Sequence, residues 1–81
     1  MTPKIKRIIY KGKYIYHIHF EDNRKGNINF RSFLWGEVFK PMKEESFFRK
    51  AYIDQTSGTI TWPNGVDIAP ETLYKKIVSN S

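Results

Sequence analysis

The feature that most constrains the fold is the run K-Y-I-Y-H-I-H-F, residues 13–20, because its side chains alternate with a period of two. In a β-strand such alternation separates two faces. One face carries Tyr14, Tyr16, Ile18 and Phe20, and the other carries Lys13, Ile15, His17 and His19. The chain contains 6 Phe, 5 Tyr and 2 Trp, so we expect the first face to line a core of large rings and the second to meet water.

Runs of β-branched and aromatic residues on either side predict partners for this strand. Ile5–Tyr10 precedes it across a turn at Lys11-Gly12, and Ile28, Phe30 and Ser32 follow the turn cluster D-N-R-K-G. We therefore expect residues 5–33 to form a three-stranded antiparallel meander. The next stretch, F-L-W-G-E-V-F-K-P-M, has no regular period, which predicts an irregular but packed connection.

The second half of the chain predicts shorter elements. Lys43–Arg49 is typical of a short helix, since its acidic residues come early and its arginine late, as the helix dipole favours. Phe47 and Phe48 are expected to anchor it to the sheet, because so short a helix is unstable alone. Ala51–Asp54 and Thr59–Trp62 flank the turn Q-T-S-G and predict a second hairpin.

Two prolines mark the end of that hairpin and the start of a helix. Pro63-Asn64-Gly65 predicts a reversal of the chain after Trp62. Pro70 suits the first position of a helix in which Leu73, Tyr74 and Ile77 share a buried stripe. The predicted fold class is therefore α+β: a small antiparallel meander plus a C-terminal β-hairpin, with one or two short helices.

Length and composition limit the organisation and the location. A chain of 81 residues supports one core, so we predict a single domain over residues 1–81, with residues 79–81 as a disordered tail. The absence of cysteine excludes disulfides, thiolate metal sites and thiol nucleophiles, and fits a reducing cytoplasm. No stretch has the length and hydropathy of a signal peptide or a membrane span, so we expect a cytoplasmic protein without a membrane partner.

The net charge of +6 falls entirely within residues 1–31, because the acidic and basic residues after them balance. The basic residues there alternate with Tyr and Ile, as in proteins that bind single-stranded nucleic acid. The simpler alternative is a solvated charged face. The nucleic-acid interpretation requires one set of residues to lie together beside an exposed aromatic ring: Lys4, Lys6, Arg7, Lys11, Lys13, Arg24 and Arg31.

Candidates for metal binding and catalysis are few. His17, His19 and Glu21 alternate on one strand, and such ligands suit zinc or iron. However, alternate side chains on a flat strand lie about 6 to 7 Å apart, which a single ion bridges poorly. We expect neither a metal nor another cofactor. Because no phosphate-binding loop, nucleophile motif or convergent pair of acids is present, we also expect a protein that is not an enzyme.

Toward the C-terminus the chain resembles a known bacterial family. The order K-P-M, F-F, then G-T-I-T-W-P-N-G-V-D-I-A-P-E-T-L-Y resembles the signature of the domain of unknown function 2442 family. The matching positions are Trp62, Pro63, Asn64, Gly65, Asp67, Pro70, Leu73 and Tyr74. We interpret them as mainly structural: a core indole, a tight turn and a helix start, with Asp67 capping the helix or bracing the turn.

The resemblance implies a small α+β domain with no assigned catalytic residues. Members are often encoded beside another small protein, in an arrangement like that of a toxin and its antitoxin. We therefore expect a non-catalytic protein-binding or regulatory module, whose exposed sheet edges also allow a homodimer. The alternative is a nucleic-acid-binding accessory protein that uses the basic residues of the N-terminal third.

Overall fold

The computed structural model describes residues 2–79, with the backbone alone for Ser79. It contains two three-stranded antiparallel sheets and two short α-helices, so the α+β prediction is confirmed. The first sheet consists of β1 (Ile5–Gly12), β2 (Ile15–Phe20) and β3 (Lys25–Asn29), and the second of β4 (Tyr52–Asp54), β5 (Thr59–Thr61) and β6 (Asp67–Ile68). The helices are α1 (Glu45–Phe48) and α2 (Pro70–Ser79), and two 3-10 segments cover Phe30–Phe33 and Glu37–Lys43.

The first sheet is the predicted meander, with β2 in its centre. Its inner face includes two rows that cross all three strands, which are Ile8, Ile18 and Gly26, then Tyr10, Tyr16 and Ile28. The third strand is shorter than expected. It ends at Asn29, whose side-chain oxygen accepts a hydrogen bond from the backbone N–H of Arg31 at 3.0 Å and turns the chain into a 3-10 segment. Phe30 leaves the strand but stays fully buried.

The turn between β1 and β2 lies two residues later than predicted. Gly12 pairs with Ile15, so the turn consists of Lys13 and Tyr14, whose φ angles are 52° and 65°. Residues other than glycine rarely adopt this left-handed backbone conformation. Tertiary contacts hold the turn: the carbonyl oxygen of Tyr14 accepts a hydrogen bond from the N–H of Phe30 at 2.8 Å, and its ring lies 5.1 Å from that of Phe48.

The predicted second hairpin is present and gains a third strand. After Trp62 the chain reverses at residues 63–65, as predicted, and Gly65 has a φ of 87°. Two backbone hydrogen bonds of 2.8 Å close this turn, from Gly65 N–H to the Trp62 carbonyl and from Trp62 N–H to the Val66 carbonyl. The returning chain pairs with β5 as strand β6. The sequence did not predict β6, because a strand of two residues is too short to show an alternation.

The core lies between the inner face of the first sheet and the second sheet with the helices. Tyr16, Ile18 and Phe20 are buried there, as the alternation predicted. Phe48 of α1 and Trp62 pack against Phe30, and Leu73 of α2 is also buried. The backbone of Ile5 donates to the carbonyl of Gly58 at 3.0 Å and so joins the two sheets.

The helices and the central connection match their predictions in part. The α1 helix is only four residues long, yet Phe48 anchors it as expected. The α2 helix begins at Pro70 as predicted and includes Ser79, which the sequence had assigned to the tail. Residues 80–81 of the expected tail lie outside the described part of the chain. The connection after β3 is packed through Leu34 and Met42, but it folds into the two 3-10 segments.

Candidate interaction surface

The most exposed large apolar side chains lie together in a short segment that we name the Trp35 loop, residues 34–38. It runs from the first 3-10 segment into the second, and the chain bends between them at Gly36, which has a φ of 85°. Leu34 at its start is buried, whereas Trp35 and Val38 are 74% and 62% exposed. A loop fixed to the core at one end thus presents an indole and an isopropyl group to solvent. The sequence interpretation missed both residues, since an aperiodic apolar run does not tell which side chains are buried.

The second tryptophan has the opposite environment. Trp62 is fully buried, and its indole N–H donates to the carbonyl oxygen of Phe48 at 2.8 Å. Its ring packs 5.5 Å from that of Phe48. Because both the ring and its one donor are satisfied inside the core, Trp62 contributes to folding and offers no surface to a ligand.

The other signature positions are also placed by local structure. Asn64 accepts a hydrogen bond from Val66 N–H at 3.2 Å within the turn that Pro63 and Gly65 complete. Asp67 is exposed in β6 opposite Thr61, and the hydrogen bonds of the described residues give it neither a capping nor a bracing role. Pro70 starts α2, on which Leu73 is fully buried and Tyr74 is half-buried.

The family follows from comparison with known proteins. A family profile described as protein of unknown function (DUF2442) matches residues 5–79, nearly the whole chain. The chain belongs to the DUF2442 family. The resemblance seen in the sequence is therefore confirmed at the level of the family. Comparison with curated proteins and with solved structures gave no significant match.

In this DUF2442 protein the seven candidate basic residues are all exposed and are carried by several different elements and turns. Lys4 packs its stem beside Gly58, in the turn between β4 and β5, and Arg31 lies over the ring of Tyr14 at 5.5 Å. Lys13 is in the first turn. The three others on β1 are Lys6, Arg7 and Lys11, of which Arg7 faces His19 across the sheet.

The seventh candidate, Arg24, is engaged at the turn between β2 and β3. Its guanidinium donates to the hydroxyl of Tyr74, which in turn donates to the carboxylate of Asp22 at 2.6 Å. The hydrogen bond from Tyr74 lowers the pKa of Asp22 below its ordinary value, and the bond to the same hydroxyl raises the pKa of Arg24. The signature tyrosine thus ties α2 to this turn, and Arg24 serves that contact.

The outer face of the first sheet is open and carries basic and amide groups. Its rows are Arg7, His19 and Lys25, then Ile9, His17 and Asn27. These six side chains include no acid, and His17 Nδ1 lies 2.8 Å from Asn27 Oδ1. His19 Nε2 is shielded from solvent and has no hydrogen-bond partner within residues 2–79. Lys25 and Asn27 were not among the residues predicted from sequence, although the alternation of β3 would have placed them here.

The three side chains considered as metal ligands do not converge. Within residues 2–79 no three His, Cys, Asp or Glu side chains are arranged to hold an ion. His17 and His19 lie on β2, whereas Glu21 follows the end of that strand and its backbone N–H donates to the Lys4 carbonyl at 2.9 Å.

Within residues 2–79, neither α-helix has the length and hydropathy needed to cross a membrane.

A groove of about 440 Å³ runs along the edge of β3. It is lined by residues 23–27 and by Ile77 and Val78 of α2. Ile77 lies over Gly26, where an added Cβ would meet its side chain at 3.4 Å. The groove thus joins a strand edge to an apolar helix end, a combination suited to binding an extended chain.

Proposed function

We propose that this DUF2442 protein is a non-catalytic protein-binding module that acts as a regulatory component in the bacterial cytoplasm, as one member of a pair of small proteins. The observation that carries the proposal is the 74% exposure of Trp35 beside the exposed Val38. Tryptophan is the side chain most enriched at the energetic centres of protein interfaces. A small domain gains by burying it internally, as this chain does with Trp62.

The way the Trp35 loop is anchored to the core favours a role in protein binding over simple solvent exposure. Leu34 at one end and Met42 beyond the other are buried, so the loop is held on both sides. A loop whose ends are already held loses less backbone entropy when a partner covers it. An indole buries on the order of 150 to 250 Å², which makes it an effective anchor in a partner's apolar pocket.

The test is to identify the partner and then measure its affinity. The tagged protein would recover binding partners from source cells, and each would be purified and titrated calorimetrically against wild type and Trp35→Ser. We expect at least a tenfold loss of affinity, about 1.4 kcal/mol or more, for the direct partner. Tyr52→Ser is the matched control, since Tyr52 is another exposed large side chain, on β4.

Two results would overturn the proposal. One is equal affinity of every recovered partner for wild type and Trp35→Ser, with both proteins folded. The other is turnover of a substrate in a broad hydrolase screen, with the activity lost when one polar residue is replaced.

The open outer face supports a second candidate function, the binding of single-stranded nucleic acid. Arg7 and Lys25 flank the imidazole of His19, and both rings and guanidinium groups stack on unpaired bases. Anisotropy of labelled single-stranded DNA and RNA at two salt concentrations tests it. Replacing Arg7 and Lys25 by Gln should lower the salt slope by about 1.4, which Lys40→Gln with Lys50→Gln should not do. Absence of salt-sensitive binding excludes this function.

A further inference from the structure

The outer edge of β3 carries backbone groups that point away from its own sheet. At the two ends of the β2–β3 pairing, Phe20 N–H donates to the Arg24 carbonyl and Phe30 N–H to the Tyr14 carbonyl, both at 2.8 Å. Hydrogen-bonded and non-bonded pairs alternate along an antiparallel ladder, so Gly26 and Ile28 also direct their backbone groups to β2. Lys25, Asn27 and Asn29 direct theirs outward.

That side of β3 is the end of the sheet. The strand order is β1, β2, β3, and no other described strand pairs with β3. The three outward residues offer three N–H donors in a row, and Lys25 and Asn27 also offer carbonyl acceptors, whereas the Asn29 carbonyl begins the 3-10 segment Phe30–Phe33. Such an edge is a template for another strand. Natural edges are often protected by charge or proline, but here Lys25 is the only charged residue and no proline interrupts the strand.

The edge is complementary to itself. If two copies of β3 pair in antiparallel orientation around Asn27, residue 25 faces residue 29 of the second copy and residue 27 faces its own equivalent. This is the single register that pairs all five residues of the strand. It also places each Lys25 opposite an asparagine, whereas a register centred on Lys25 would put two like charges together.

The neighbouring groove favours the same arrangement. Its apolar wall, Ile77 and Val78, lies over the inner side of the edge, where Gly26 leaves room for the helix. A twofold arrangement keeps the inner faces of the two sheets on the same side, so both α2 helices lie on one face of the joined sheet. Isologous pairing of this kind closes after two copies and leaves no further edge exposed at β3.

We propose that the partner of the β3 edge is a second copy of this chain, joined through antiparallel pairing of β3 to β3 centred on Asn27, so that the two meanders form one six-stranded sheet. This goes beyond the proposed binding function, because it uses none of the residues of the Trp35 loop and leaves that loop available in both copies.

The natural absence of cysteine allows a direct test of the register. Residues that face each other in a hydrogen-bonded antiparallel pair have Cα atoms about 5.5 Å apart. Asn27→Cys should therefore give a covalent dimer with dibromobimane, a short reagent that joins two nearby thiols. Lys25→Cys is the matched control: its two thiols would lie about 14 Å apart, four residues along the ladder, and should remain unjoined. Equal cross-linking of both variants, or none of either, overturns the proposed register.

A second pair of variants tests the association itself. Light scattering during size-exclusion chromatography, from micromolar to millimolar protein, should show a mass that rises toward two chains. Asn27→Lys places two like charges at the twofold axis and should weaken dimerisation roughly tenfold or more. Asn27→Thr, like Asn27→Lys, removes the side-chain contact with His17. Threonine is uncharged and favours β-strands, so this variant should dimerise like wild type. A wild-type mass of one chain at every concentration overturns the proposal.

Discussion

Trp62 and Tyr16 donate hydrogen bonds to the same acceptor, the carbonyl oxygen of Phe48, each at 2.8 Å. All three groups are buried, so no water competes for this oxygen. Trp62 directly follows β5, Tyr16 is the second residue of β2, and the acceptor is the last residue of α1. One carbonyl therefore connects both sheets to the first helix, which is too short to be stable without such contacts.

The shared acceptor predicts that the two donors are not independent. Tyr16→Phe and Trp62→Phe should each lower the free energy of unfolding by about 1 to 2 kcal/mol, because the carbonyl retains one partner. The double variant leaves the buried oxygen with none, so it should lose about 1 kcal/mol more than the sum. Urea denaturation of the four proteins measures this coupling, and strict additivity would show that the two bonds act separately. Trp62→Ala, which also removes the ring, should cost about 3 to 5 kcal/mol.

Burial of Tyr16 also predicts a loss of stability in alkali. Burial raises the pKa of Tyr16 from its ordinary value of 10.0 to about 12. The folded protein thus favours the protonated phenol, so this contribution is complete below pH 10 and is lost as the pH rises to about 12. The two-unit shift corresponds to about 2 to 3 kcal/mol. Over this pH range, the free energy of unfolding of wild type, measured by urea titration, should fall toward and then below that of Tyr16→Phe. Parallel pH profiles would contradict the prediction.

The left-handed turn predicts a stabilising substitution. Lys13 has a φ of 52°, a conformation that costs a residue with a Cβ about 1 to 2 kcal/mol and glycine almost nothing. Lys13→Gly should therefore raise the free energy of unfolding by about 0.5 to 1 kcal/mol. Lys11→Gly removes the same charge within β1 and should lower it by a similar amount. Thermal or urea unfolding measures the change in the free energy of unfolding for both variants. A decrease in both would contradict the prediction and mean that the turn at Lys13 is not strained.

The sequence predicted the elements whose pattern is local and repeated. The alternation around Tyr16 gave the inner face of the meander, and proline and glycine placed the turn after Trp62 and the start of α2. The first turn was placed wrongly because Lys13-Tyr14 has no turn preference of its own. Its conformation comes from tertiary contacts, such as the packing of the Tyr14 ring on Phe48.

The candidate surface was harder to predict than the fold. Charge drew attention to the N-terminal basic residues, yet they lie before and on β1, in both turns of the first sheet and in the first 3-10 segment. No pattern in the sequence marked Trp35 as exposed. It follows two apolar residues without a regular period, of which Leu34 is buried and Phe33 half-buried. Composition alone does not distinguish the buried tryptophan from the exposed one; that difference depends on the path of the whole chain.

The two tryptophans therefore predict opposite results for solvent access and stability. In Trp62→Phe the remaining indole is that of Trp35, and acrylamide should quench its fluorescence strongly, because the side chain is 74% exposed. In Trp35→Phe the remaining Trp62 is fully buried and should be quenched weakly. Trp35→Ser should change the free energy of unfolding by less than about 0.5 kcal/mol, as surface substitutions usually do. Strong protection of Trp35 in the free protein would mean that its ring is already covered, and the proposed binding function would lose the observation that carries it.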